Sequence, residues 1–268
     1  MTIKIVLGGP RGHMGKEAIQ MIKNEPKFSL VGCLVRTKDD EEAIREIHSL
    51  VGDTINLYDQ AETCFKEEQP DVYIDLTIAE AGFKNTKTAL LNNVRAVVGT
   101  SGLSDSQIEE LSNISSQNKI GCIIAPNFAL GSILMMIFSR MAAKFFPDVE
   151  IIEKHHDGKI DAPSGTAIKT VDMIRETREQ KRQGHPEEYE VLEGARGATI
   201  DGIKIHSMRL PGLVAHQEVV FGSKSQLLAI QHDTFDRVAY MDGLNFAIKE
   251  VLKQEKLIYG LEHVMDLI

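Results

Sequence analysis

The position of the first glycines constrains this chain more than any other feature. An apolar run, Thr2–Leu7, breaks directly into Gly8-Gly-Pro-Arg-Gly-His-Met-Gly15. A helical pattern follows, with Met14, Ala18, Met21 and Ile22 on one face. Strand, glycine loop and helix in that order open a βαβ unit. In Gly9-x-x-Gly12-x-x-Gly15, glycine lets the backbone turn tightly and come close to a pyrophosphate, which then rests on the helix N-terminus. Pro10 and Arg11 make the spacing differ from G-x-G-x-x-G. The stretch reads as a dinucleotide cradle made by Gly9, Pro10, Arg11, Gly12, His13 and Met14. A plain tight turn is the alternative.

The alternation continues. Phe28–Val35, Asp71–Leu76, Arg95–Val98 and Ile120–Ala125 read as buried strands. Asp39–Leu50, Ala79–Asn92 and Ser104–Asn118 read as helices, the first with an acidic start that suits the helix dipole. Strands alternating with helices mean βαβ units and a parallel sheet. After Pro126-Asn-Phe128 the pattern changes. Leu130–Phe146 is a long, apolar, Met-rich helix, and Val149–Glu153 is a strand. Thr166–Arg182 is a helix with Ile168, Val171 and Ile174 inward, and Gln183–Ala198 is a polar loop. Ile203–Leu210, Val214–Phe221 and Gln226–His232 are strand-like and, with Val149–Glu153, complete a mixed sheet. Arg237–Lys253 returns to helix. The expected fold is α/β: a Rossmann-like dinucleotide-binding domain at 1–126, with 237–268 packing back on it. An α+β domain with an open mixed sheet follows at 127–236.

Composition narrows the partners. A net charge of −9 argues against nucleic acid, so an anionic ligand must be drawn by a local basic cluster. No stretch approaches the run of about 20 apolar residues that a membrane span needs. Cys33, Cys64 and Cys122 lie far apart in apolar settings. They fit reduced core thiols in a cytoplasm and offer neither a disulfide set nor a metal site.

The chemistry concentrates in Glu153-Lys-His-His-Asp-Gly-Lys-Ile-Asp-Ala-Pro-Ser-Gly-Thr166, expected on a strand-to-helix connection. His155 and His156 exchange protons near neutral pH, and Lys159 is a second proton donor. Ser164 reads as an N-cap, so the amides of Gly165 and Thr166 form an anion site at a helix start. Proton donors beside an anion cradle suit a small carboxylate. The bland alternative is a polar surface loop before a capped helix. Elsewhere, Gly99-Thr100-Ser101 and Ala125-Pro126-Asn127-Phe128 follow strand ends, at the sheet edge where ligands bind, and offer walls for a nicotinamide. The second strand ends in Val35-Arg36-Thr37-Lys38 rather than in an acid. Arg36 and Lys38 can meet a 2′-phosphate, or they form a solvated basic turn.

Taken together, Glu153-x-His-His-x-x-Lys159-x-Asp-Ala-Pro-Ser-Gly-Thr-Ala167 resembles the signature of the 4-hydroxy-tetrahydrodipicolinate (dihydrodipicolinate) reductase family. The resemblance extends over Gly9–Gly15, Gly99-Thr100, Asn127-Phe128 and Gly212–Glu218. Pro10-Arg11, Ser101 and Gln217 are departures from the commoner residues. The resemblance implies reduction of a cyclic imine dicarboxylate by NADPH or NADH in the diaminopimelate route to lysine. Hydride goes to C4 of the ring, and a proton to the neighbouring carbon. It implies that His155 is the acid/base residue and Lys159 the second proton donor. His156, Gly165 and Thr166 become substrate contacts, and a homotetramer built through the second domain's sheet is the expected assembly. Two rivals remain at this point. A semialdehyde or sugar dehydrogenase shares the two-domain layout, but an aldehyde-oxidising enzyme would need a nucleophilic cysteine in the second domain. A nucleotide-sensing regulator would keep the glycine loop without needing the His-His-Lys cluster.

Overall fold

The computed structural model describes residues 2–265. Met1 and residues 266–268, at the two ends of the first expected domain, lie outside them. The chain divides into two units. One runs to Phe128 and resumes at Tyr240, and the other is Ala129–Ala239.

The first unit is built on seven strands: β1 (Ile3–Gly8), β2 (Phe28–Leu34), β3 (Asn56–Tyr58), β4 (Val72–Asp75), β5 (Arg95–Val98), β6 (Cys122–Ile124) and β12 (Leu257–Tyr259). They form one sheet in the order β12-β6-β5-β4-β1-β2-β3, and every pairing is parallel. Ile5, Val6 and Leu7 of β1, and Val72, Tyr73 and Ile74 of β4, are fully buried. Such unbroken apolar runs are what a parallel sheet covered on both faces requires. The helices are α1 (His13–Asn24), α2 (Glu41–Val51), α3 (Ala61–Glu68), α4 (Ala79–Leu91), α5 (Asp105–Asn118) and α8 (Met241–Val251). Asp40 caps α2 through the Ala43 amide, and Ser104 with Gln107 forms a capping box on α5. On α1 the inward face is Gly15, Ala18, Ile19 and Ile22. The short β3, α3 and β12 are additions to the sequence reading, because three-residue strands carry no usable periodicity. The chain leaves β1 for β2 on one side and reaches β4 on the other. That reversal is the switch point outside which dinucleotides bind.

The second unit holds β7 (Asp148–His155), β8 (Ala198–Ile200), β9 (Ile203–Arg209), β10 (Ala215–Ser223) and β11 (Gln226–Thr234), with α6 (Leu130–Ala142) and α7 (Gly165–Arg175). The sheet order is β11-β10-β7-β9-β8. β7 and β9 are parallel and the other pairs antiparallel, so the sheet is mixed. Along β7, Val149, Ile151 and Glu153 are buried and alternate with half-buried neighbours, the period-two pattern of a sheet covered on one face. Helix α7 ends seven residues earlier than the Thr166–Arg182 reading. Its buried face is Ala167, Thr170, Val171, Met173 and Ile174, while Ile168 is 40% exposed, contrary to the expected pattern. Beyond it, the Arg178 guanidinium donates to the Pro147 carbonyl at 2.7 Å and to the Asp201 carbonyl, which fastens the chain to the sheet as the helix ends.

Candidate active site

In the first unit the sequence-expected residues collect at the carboxyl ends of β1, β5 and β6. Gly9 has φ +81°, and a Cβ on it would stand 2.3 Å from the Leu76 carbonyl oxygen. A Cβ on Gly15 would stand 2.1 Å from the Gly9 carbonyl oxygen. Both positions therefore require glycine. Gly12 is looser, its nearest such contact being 3.4 Å, and it caps α1 without any side-chain acceptor. The first-turn amides of His13 and Met14 thus head a helix with no side-chain cap, which fits a pyrophosphate. Pro10 is buried and Arg11 exposed. The Arg11 guanidinium is turned to α2, 2.7 Å from Glu46 and 3.9 Å from Asp40. It offers the loop's backbone, rather than a free cation, to a phosphate. Arg36 is exposed just past β2. Its expected companion Lys38 lies over the Tyr58 ring at 5.2 Å, so Arg36 is the member of the basic pair without such a partner among the described residues.

The corner expected to wall a nicotinamide has an organiser that sequence reading does not single out. Asp75, fully buried at the end of β4, accepts from the Tyr73 hydroxyl (2.7 Å), the Thr77 hydroxyl (2.8 Å) and the Thr100 hydroxyl. Burial pushes its pKa up against the opposing effect of these donors. Thr100 in turn accepts from the Thr77 amide at 3.0 Å. The Gly99-Thr100-Ser101 corner is thereby tied to the switch point. Phe128 is buried with its ring against Gly99, where a Cβ would meet it at 2.6 Å. Ala125 is buried, Pro126 exposed and Asn127 half-buried.

In the second unit one carboxylate assembles the site. Glu153 is 0% exposed. It accepts from His155 Nδ1 at 2.5 Å, from both terminal nitrogens of Arg209 at 2.8 Å, and from the Ser164 amide at 3.2 Å. Burial alone would raise the Glu153 pKa, but hydrogen bonds from Arg209, Ser207 and His155 outweigh it and hold the pKa below the usual value. These contacts require β7 to run on to His155, where it pairs with Arg209 on β9 and Ala215 on β10. His155 therefore sits on a strand, not on the connection expected from sequence. With Nδ1 held by a carboxylate, the imidazole has a fixed tautomer and a free Nε2 edge. Its pKa lies below the ordinary value. Burial is the main cause, with Lys159 and Arg209 adding to it and Glu153 opposing it.

Ser164 caps α7 by accepting from the Ala167 amide, which leaves those of Gly165 and Thr166 at the helix's open end. A Cβ on Gly165 would meet nothing within 4 Å, so the space beside this glycine is open. Gln217 stands opposite Glu153 and donates to the Thr170 hydroxyl at 2.7 Å. Thr170 donates to the Thr166 carbonyl at 2.7 Å, which ties the first turn of α7 to the sheet. His156 is exposed, and its carbonyl accepts from the Lys159 amide in a turn. The Lys159 ammonium is 2.6 Å from Asp161, whose pKa it lowers. Sequence reading includes Glu153 in the motif without giving it a role of its own, and does not single out Arg209. Their signal was an acid and a base at inward positions of period-two strands.

A glycine loop at a helix start on one unit, and His155 and Lys159 in the segment before an open helix start on the other, fit one class: a two-domain oxidoreductase with a nicotinamide cofactor. Comparison with known proteins narrows it. Residues 3–128 match the family described as "Dihydrodipicolinate reductase, N-terminus", and residues 131–265 match "Dihydrodipicolinate reductase, C-terminus". The chain is 54% identical to 4-hydroxy-tetrahydrodipicolinate reductase of Oceanobacillus iheyensis over 99% of its own length and 100% of the relative's. Against the same enzyme of Bacillus subtilis the figures are 52%, 99% and 98%. Among solved structures, dipicolinate-bound dihydrodipicolinate reductase from Paenisporosarcina sp. TG-14 aligns with TM-score 0.90 at 46% identity, covering 99% of this chain and 100% of that one. The chain belongs to the dihydrodipicolinate reductase family. A probable dehydrogenase from Thermotoga maritima, with TM-score 0.67 at 10% identity over 98% and 92% of the two chains, shares the fold alone.

Proposed function

We propose that the protein reduces 4-hydroxy-tetrahydrodipicolinate to tetrahydrodipicolinate in the diaminopimelate route to lysine. The net change replaces the ring's C4 hydroxyl, which leaves as water, with hydrogen. When bound, the reduced nicotinamide supplies the hydride. The amides of Gly165 and Thr166 hold one substrate carboxylate, and His156 and Lys159 meet the dianion as cationic or donor groups. Nε2 of His155 delivers the proton to the carbon beside C4, and Lys159 is the second donor. The observation that carries this reading is the contact set of Glu153, which holds the acid–base imidazole and the cap of the anion-binding helix through one buried carboxylate. A dianion arriving beside His155 raises its pKa and keeps it protonated, offsetting the desolvation that lowers it in the free protein.

Gly9, Gly12, His13 and Met14 would hold the pyrophosphate, and the Thr100 and Asn127 corners the nicotinamide. NADPH serves at least as well as NADH, because Arg36 is exposed and no acid ends β2 to repel a 2′-phosphate. The assembly is a homotetramer joined through the second unit's sheet, whose Met208, Leu210 and Leu227 are exposed apolar residues on or beside its strands. The setting is the cytoplasm, in keeping with three buried free thiols. The test is to follow nicotinamide oxidation at 340 nm with enzymatically generated substrate. Turnover with that substrate, and none with simple sugars or aldehydes, is the expected result. Sugar-dependent activity alone would overturn it.

A further inference from the structure

The acid–base histidine and the loop carrying the second proton donor meet at one arginine. Arg209 donates through both terminal nitrogens to Glu153, and the nitrogen nearer the loop also donates to the Asp161 carbonyl at 2.7 Å. Asp161 is the residue whose carboxylate holds Lys159. So one guanidinium grips the carboxylate that orients His155 and, with the same fork, the backbone of the loop that presents Lys159. Its Nε is buried and has no hydrogen-bond partner among the described residues. A buried ion cluster with an unspent donor is poor evidence for stability, since desolvation offsets most of its attraction.

We infer that Arg209 is a positioning residue for the proposed reaction: its fork fixes Glu153 against His155 and fixes the Lys159 loop beside it. This rests on the functional reading above. The charged groups facing His155 are Glu153 on its own strand, Arg209 on β9 and Lys159 in the following loop, while β10 presents the uncharged Ala215. Glu153, fully buried, needs a cation. With Arg209 present it has one permanently, and His155 is free to gain and lose its proton. Without Arg209, only a protonated His155 can neutralise Glu153, so the imidazole becomes a reluctant donor. Removing Glu153 instead leaves His155 between two cations and favours the neutral ring. The two losses must therefore move His155 in opposite directions, which simple disruption of packing would not do.

The experiment is a histidine NMR titration of the intact protein, alongside pH profiles of kcat/KM, for wild type, Arg209→Gln, Arg209→Lys and Glu153→Gln. The expected result is an upward shift of the His155 midpoint in Arg209→Gln and a downward one in Glu153→Gln. The lysine variant keeps the charge and loses the fork. Its midpoint stays nearer wild type while kcat falls by about 10²-fold, the usual effect of misplacing a catalytic group by about an ångström. Midpoints unmoved, or moved the same way in both variants, would overturn the inference, as would wild-type kcat in Arg209→Lys. If Arg209→Gln does not fold, Arg209→Lys and Glu153→Gln still decide the matter. Opposed shifts in the two variants, together with a wild type that fails to turn over the substrate, would support the role of Arg209 while removing the reaction assigned to the site.

Discussion

The two units offer an anion candidate cradles of different physical kinds. In the first, the cradle is backbone. Gly9 and Gly15 sit where a single methyl would strike a carbonyl at 2.3 or 2.1 Å, and no side chain caps the amides at the helix start. In the second, the cradle is a helix start set among charged side chains. Its glycine, Gly165, has open space where a Cβ would go. Glycine is thus a packing requirement in one cradle and a way of leaving room in the other. The difference follows from the task. A dinucleotide needs to be held in one place, whereas the substrate's chemistry needs protons moved, and only titratable side chains do that.

The largest expected effect lies on the side-chain cradle. His155→Gln and Lys159→Ala should each lower kcat by about 10²–10⁴-fold, the usual contribution of a positioned acid or base, with a much smaller change in KM. Steady-state kinetics at fixed cofactor check this, and near-normal turnover in both variants would remove their roles. Both residues belong to the second unit, so dinucleotide affinity should be unchanged.

Glycine substitutions sharpen the comparison. Gly15→Ala must displace backbone, costing about 1–3 kcal/mol of stability or more, and should lower the melting temperature and dinucleotide affinity together. Gly165→Ala meets no atom, so it should melt like wild type and lose affinity for the dicarboxylate alone. Thermal melts with and without each ligand separate the two cases. A large loss of stability in Gly165→Ala would erase the distinction.

These contrasts also explain what the sequence made legible. The Gly9–Gly15 cradle is legible because β1 carries the apolar run Ile5-Val6-Leu7 straight into glycine, and the His-His-Lys cluster because its residue types are rare together. What could not be read depended on which way a side chain faces. The strand reading stops at Glu153 and leaves His155 on the connection, because polarity hides the continuation of β7. The alternation Val149, Ile151, Glu153 was present but ended in a charge. Arg209 repeats the case on β9, after Ile203 and Ile205. Asp75 looked like the end of a strand, and only the fold shows Thr77 and Thr100 closing on it. Strands β3 and β12 are too short to announce themselves.

The smallest expected effect concerns cofactor choice. Arg36 is exposed, so a contact with a 2′-phosphate is worth about 1 kcal/mol or less. Arg36→Ala should reduce kcat/KM for NADPH severalfold and leave NADH nearly unchanged, and added salt should shrink the wild-type preference. Equal losses with both cofactors would mean that Arg36 does not read the phosphate. Lys38, engaged over Tyr58, should matter less than Arg36 in the same assay.

The most direct test of the side-chain cradle is a crystal structure of the protein with pyridine-2,6-dicarboxylate, a planar analogue of the substrate. One carboxylate should lie on the Gly165 and Thr166 amides, with Lys159 released from Asp161 toward the ligand and His155 still held by Glu153 through Nδ1. Ligand bound elsewhere, or bound with His155 turned away from Glu153, would contradict the account.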